Sequence, residues 1–152
     1  MSTPPEDWQP KTMPAMLIMH AARYFGRLAD QRLRDLGIST GQLPVLVALK
    51  NGARLSQKDL TRLAGVEQPS MAQLLARMER DGLIERQPDP TDRRSSLVSL
   101  SDKALEQIGP AKTILAQGNR EAIAGLSDSE VETLVTLLLR VLSNVREKAA
   151  PE

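Results

Sequence analysis

Cysteine is absent from this sequence, and with it any disulfide framework, thiolate metal site or thiol redox switch. That absence fits a reducing, cytoplasmic setting. Aromatic residues are nearly as scarce, with Trp8, Tyr24 and Phe25 the only ones. Histidine occurs once, as His20, which cannot make a metal site without acidic neighbours. No stretch approaches the ~18 uninterrupted apolar residues of a membrane-spanning helix. Residues 1–11 are polar and proline-bearing and lack the apolar run of a secretory signal. A strong excess of one charge is missing too: 20 Lys and Arg stand against 19 Asp and Glu, so there is no broad basic footprint. The acidity is pushed toward the C-terminal end. There is no Ser/His/Asp grouping, no Gly-rich phosphate loop and no metal-ligand cluster. Neither an enzyme nor a cofactor is expected.

What the sequence does contain is Ala, Leu, Arg and Glu in helical periodicity, at a length of 152 residues that suits one domain with its own core. A first helix is expected from Pro14, since a missing N–H costs nothing at a helix start. Leu17, His20, Ala21, Tyr24, Leu28 and Gln31 lie along one of its faces, and Gly37 suits its stop. Ser39 and Gln42 have capping-box spacing for a second helix with Leu43, Leu46, Val47 and Leu49 inward. Pro44 makes its first turn irregular or its start late. Ser56 opens a third helix with Leu60, Leu63 and Ala64 as its buried stripe, and Gly65 breaks it. A fourth runs from about Pro69 to Arg80, with Met71, Leu74, Leu75 and Met78 inward.

Periodicity then changes. Leu83–Arg86 and Ser96–Leu100 read as two short strands around a charged, turn-rich tip, a hairpin too small to stand alone. Ser101 caps a fifth helix, which Pro110 should kink or break. Ser127 and Glu130 form a capping box for the last helix. That helix is apolar over more than one stripe, from Val131 to Val145, so burial on two sides is expected. One small domain offers one such side, and a second subunit would supply the other.

The informative order is helix, short helix, tight glycine turn, helix, hairpin. Two short helices joined through Ala64–Gln68 fit a helix-turn-helix, whose second helix presents its N-terminal residues to base edges in the major groove. Gln68, Ser70, Gln73 and Arg77 are hydrogen-bonding residues on the face opposite Met71, Leu74 and Met78. Arg93 and Arg94 sit together at the hairpin tip, where a long cationic side chain can enter a narrow minor groove. On their own, paired surface arginines are more often a solvated turn. Their position after a helix-turn-helix favours DNA.

The segment Leu55–Leu60, continuing through Met78–Ile84 and the tip Asp89-Pro90-Thr91-Asp92-Arg93-Arg94-Ser95, resembles the MarR family of bacterial winged helix-turn-helix transcription regulators. The flanking helices fit in order and length. Asp92 and Arg94, spaced Asp-x-Arg, are the most specific part of the resemblance. It implies a mostly α fold of six helices with a small β-hairpin wing, one domain over residues 1–152. Residues 1–36 and 101–152 would be dimerisation helices and residues 39–100 the DNA-binding part. It further implies a homodimer on a pseudo-palindromic operator, usually a repressor, with double-stranded DNA and a small aromatic or anionic effector as partners. Arg94 would enter the minor groove, Asp92 would orient the wing, and the fourth helix would be the recognition helix. The expected DNA-facing set is Gln57, Gln68, Pro69, Ser70, Gln73, Arg77, Asp92, Arg93 and Arg94. An effector face is expected at Met16, His20 and Tyr24, although methionines at helical spacing are more often core filler. Gln73 stands where family members often carry a basic residue, so their base preference does not transfer. The peroxide-sensing mechanism, which needs a reactive cysteine, is excluded. The competing reading is a winged-helix protein-interaction module that never touches DNA.

Overall fold

The structure is a computed structural model and describes residues 11–149. Trp8 and nearly all of the polar N-terminal stretch lie outside the described residues. Among those residues the helices are α1 (Pro14–Leu33), α2 (Leu43–Leu49), α3 (Gln57–Ala64), α4 (Gln68–Arg80), α5 (Asp102–Ala122) and α6 (Asp128–Ala149). The strands are β1 (Leu55–Ser56), β2 (Ile84–Pro88) and β3 (Ser96–Leu100). The fold is thus mostly α with a small antiparallel sheet, as expected. No helix among the described residues is long and apolar enough to cross a membrane.

Local chemistry sets most boundaries. Pro14 opens α1, and after a 3-10 turn at Arg34–Leu36, Gly37 takes a left-handed conformation that an L side chain adopts only with strain. The Ser39–Gln42 capping box forms, with the Ser39 N–H donating to Gln42 Oε1 at 3.0 Å. Pro44 has the effect expected of it: residues 40–42 make a 3-10 turn and the α-helix starts only at Leu43. The Ser56 side chain caps α3 by accepting the Asp59 N–H at 3.1 Å. In α6 the Ser127–Glu130 box closes through bonds of 3.1 Å in both directions.

Four expectations are corrected or narrowed. Val45 of α2 is buried while Val47 is 58% exposed. The delayed start rotates the helix relative to the stripe read from Ser39, and Val45 takes the inward position. Leu60 of α3 is buried, but Leu63 is 61% exposed, because an eight-residue helix has room for one inward ridge and Leu60 occupies it. Of the kink or break expected at Pro110, the break does not occur, since α5 runs unbroken through it. The loss of one N–H near the middle of a 21-residue helix leaves its other turns bonded. Finally, β1 adds a third strand at two residues' length, with Leu55 opposite Val98.

The sheet order is β1-β3-β2, with β3 in the centre. Ile84 faces Leu100 and Arg86 faces Val98. Ile84, Val98 and Leu100 are buried and join Leu33, Leu46, Leu49, Leu60, Met71, Leu75, Met78 and Leu83 in one cluster. Each fully buried side chain of this kind contributes roughly 1.5–3 kcal/mol. The wing is therefore anchored at its base by the helical core. Ser101 fastens it further: its Oγ donates to the Gly82 carbonyl at 2.6 Å and accepts the Ala104 N–H at 3.2 Å, capping α5.

The fold divides into two compact units, residues 1–116 and 117–152. The first contains the cluster above. In the second, α6 has no buried residue, and Leu137, Leu138, Leu139 and Leu142 are all exposed. The side expected to be covered by the chain itself is not buried, and the other side is the one left for a partner subunit.

Candidate nucleic-acid interface

Three elements of the first unit carry the site. The first is α4. Its inward ridge of Met71, Leu74, Leu75 and Met78 is buried, which fixes the rotation of the helix. Gln68, Pro69, Ser70, Gln73 and Arg77 are consequently all exposed. Gln68 and Pro69 open the helix, where free backbone N–H groups and the positive end of the helix dipole favour an anion such as a phosphate. Ser70, Gln73 and Arg77 follow at intervals of three and four, so they form one line along the outer face.

The second element is the tip between β2 and β3, built by local hydrogen bonds. The Asp89 N–H donates to the Ser95 carbonyl at 3.2 Å, and the Ser95 N–H donates to the Asp92 carbonyl at 3.1 Å. Asp89 Oδ1 accepts both the Thr91 N–H (2.9 Å) and the Thr91 hydroxyl (2.8 Å). These bonds to Thr91, the backbone one foremost, hold the Asp89 carboxyl below its ordinary pKa. Asp92 Oδ1 accepts the Arg94 N–H at 2.9 Å. Two side-chain turns in tandem thus fix the backbone of an otherwise open loop. Arg93 and Arg94 project from it exposed.

The third element is the start of α3, which faces the wing across a polar groove. Ser56, Gln57 and Lys58 line one side, and Arg86, Asp89, Thr91, Asp92, Arg94 and Ser95 are among the residues of the other. Lys58, Arg86 and Arg94 put three cations in this groove beside the carboxylates of Asp89 and Asp92. Arg86 is held in place, its Nε donating to Glu79 Oε2 at 2.7 Å. At the groove's end Gln57 Nε2 donates to Gln68 Oε1 at 3.2 Å, joining the start of α3 to that of α4.

With this geometry in view, the comparisons with known proteins give the chain's likenesses. The MarR family model matches residues 36–95, the span from the end of α1 to the wing tip. A structure of a mutant MarR from E. coli complexed with operator DNA is 27% identical, with 90% of this chain and 99% of that one covered and a TM-score of 0.79. A probable transcriptional regulator from Pseudomonas aeruginosa is 28% identical, with coverage of 88% and 99% and a TM-score of 0.78. The transcriptional regulator SlyA, at 24% identity, shares the fold with a TM-score of 0.82 over 90% of this chain and 96% of that one.

Over residues 36–95 the chain is similar to the MarR family.

Of the residues picked out from sequence, the fold brings Gln57 and Gln68 into contact and ties the Arg94 N–H to Asp92. Sequence reasoning missed Lys58 and Arg86 as groove residues. Lys58 carried a signal, since it follows Gln57 directly after a clear helix cap. Arg86 carried none, because its place depends on the β2–β3 register and on Glu79. The Met16, His20 and Tyr24 face runs along α1; Met16 is half-buried, His20 is exposed and Tyr24 is 67% exposed. The first unit has an apolar cleft elsewhere, between α2 and α5, lined by Leu43, Leu46, Val47, Ile108, Ala111 and Leu115 with Lys50 and Lys112 at its edge.

Proposed function

We propose that this protein is a sequence-specific DNA-binding transcription regulator, a repressor that grips a pseudo-palindromic operator as a homodimer. One observation carries the reading. The outer face of α4 offers Gln68, Ser70, Gln73 and Arg77 in one exposed set, and the stiffened wing tip offers Arg93 and Arg94 beside a polar groove that holds Lys58 and Arg86. The α4 face has the donors and acceptors that read base edges in the major groove. The wing cations suit the adjacent minor groove, and the intervening channel, with Lys58 and Arg86, suits the sugar-phosphate strand between them. The E. coli MarR structure with operator DNA, 27% identical to this chain, supports this assignment.

A dimer follows from what one chain leaves open. The leucines of α6 and Leu17, Tyr24 and Phe25 of α1 are exposed. Exposed apolar surface on this scale marks an interaction site. Two reading heads presented about one DNA turn apart, ~34 Å, would engage both half-sites. An aromatic or anionic effector on the Met16, His20 and Tyr24 face would act by favouring a different head separation, and only through differential affinity for the two.

The test is a mobility-shift titration on a selected operator over a range of salt. A DNA-reading protein loses affinity steeply as salt rises, because phosphate contacts release counterions. Failure to enrich any sequence from a random duplex library, with shifts absent at low salt, would instead support the protein-interaction reading that the near-neutral charge allows.

A further inference from the structure

We infer that Gln57 is a positioning residue that sets the base preference of Gln68, and that the pair reads a base acceptor. The inference rests on the DNA-binding reading and concerns the same face.

A lone glutamine at the start of a recognition helix is an ambiguous reader. Its amide carries an acceptor at one end and two donors at the other, and a rotation of the terminal torsion exchanges them. Gln68 is the first residue of α4, exposed, with no cap bond from the preceding Glu67 to hold it. Gln57, the first residue of α3, is the partner that ties down one end of this amide. Its Nε2 donates to Gln68 Oε1 at 3.2 Å, so the Gln68 oxygen is tied back toward α3. The end left free is the amide nitrogen with its hydrogens.

The fold holds the two helix starts that carry these side chains. Gln57 begins its helix because Ser56 caps it, and the Gln57 carbonyl accepts the Thr61 hydroxyl at 2.8 Å. Gln68 begins its helix after Gly65 ends α3 in a left-handed conformation. Leu60 of α3 and Met71 of α4 share the core, so the two starts are fixed relative to each other. In the free protein a solvent-exposed amide pair of this length contributes little. Against DNA, where water is displaced, the bond strengthens and its direction counts. A donor presented to the major groove matches the O6 and N7 acceptors of guanine or the O4 of thymine, and opposes the N4 amino group of cytosine.

The experiment is selection of sites from a random duplex library with the full-length protein and with Gln57→Ala, Gln57→Lys, Gln57→Glu and Gln68→Ala, followed by titration of single-base variants at fixed salt. The wild type should select guanine or thymine at one symmetric pair of positions. Gln57→Ala should relax that preference about tenfold, as Gln68→Ala does, and the double variant should discriminate no worse than Gln68→Ala alone. Lysine can only donate, so Gln57→Lys should retain the preference. Glutamate can only accept, so Gln57→Glu should turn the Gln68 amide around and shift the preference toward adenine or cytosine. A loss of affinity uniform across sequences in Gln57→Ala, or additive effects in the double variant, would overturn the pair while leaving DNA binding in place. A wild type that selects no motif would overturn the DNA reading itself, and this inference with it.

Discussion

Asp89 illustrates how much of the wing is held by single side chains. Its carboxylate takes two bonds from Thr91, and these favour its ionised form. Its folded pKa is depressed, so the stability it lends the tip is present above the ordinary carboxylate value and is lost as pH falls through the lowered one. Carbon-13 NMR of the Asp89 carboxyl should show titration below the usual aspartate range. Thr91→Ala, which keeps the backbone bond and deletes the hydroxyl, should move it part of the way back. Titration at the ordinary value in the wild type would mean that the turn does not hold in solution. Arg94 is the complementary case, an exposed cation carried on the next turn, which Asp92 makes with the Arg94 N–H. Arg94→Ala should weaken specific DNA binding by ~1–3 kcal/mol with circular dichroism unchanged. Unaltered operator affinity would remove Arg94 from the interface. The residue types at this tip were legible from sequence, since Asp and Thr beside Pro90 signal a turn and the Asp-x-Arg spacing signals a wing. The tandem bonding was not, because which oxygen accepts which N–H depends on the backbone path.

Among the elements, those with chemical punctuation were legible and those defined by tertiary pairing were not. Ser39 with Gln42, and Ser127 with Glu130, announced helix starts that the fold realises. Gly37 and Gly65 announced helix ends. By contrast β1 exists only because Leu55 meets Val98, a partner far along the chain, and two residues carry no period to detect. Val47 and Leu63 misled for a related reason: an apolar residue on a short helix can satisfy a local stripe and still face solvent. Ser101 was legible as a cap but not as the tie between α5 and the base of the wing. Ser101→Ala removes the cap and leaves the Gly82 carbonyl without that donor. It should cost ~1–3 kcal/mol in denaturant unfolding. A loss below a few tenths of that would show that water replaces the hydroxyl on both sides.

For the whole molecule, the sequence separated a C-terminal part from residues 39–100 at residue 101, whereas the compact units divide at residue 117, inside α5, and it showed an excess of apolar residues on the last helix. That excess makes a specific prediction. Leu138 is exposed, so Leu138→Glu should leave the fold of a single chain unharmed. In the proposed dimer it would place a carboxylate in an apolar seam. Sedimentation should then report monomers, and operator affinity should fall as two linked heads become one. A variant that remains dimeric would move the seam off α6.

The uncovered α6 also bears on how such a regulator responds to its own abundance. A helix of 22 residues with no buried residue draws little from its own chain beyond its backbone bonds and its cap. If the partner chain supplies what is lacking, assembly becomes part of folding, and melting temperature should rise with protein concentration. Occupancy of the operator would then follow the square of chain concentration where monomers dominate. Halving synthesis would cut the DNA-competent species by about four by mass action. A gene under this protein would be switched over a narrower range of dose than one held by a monomer with the same contacts.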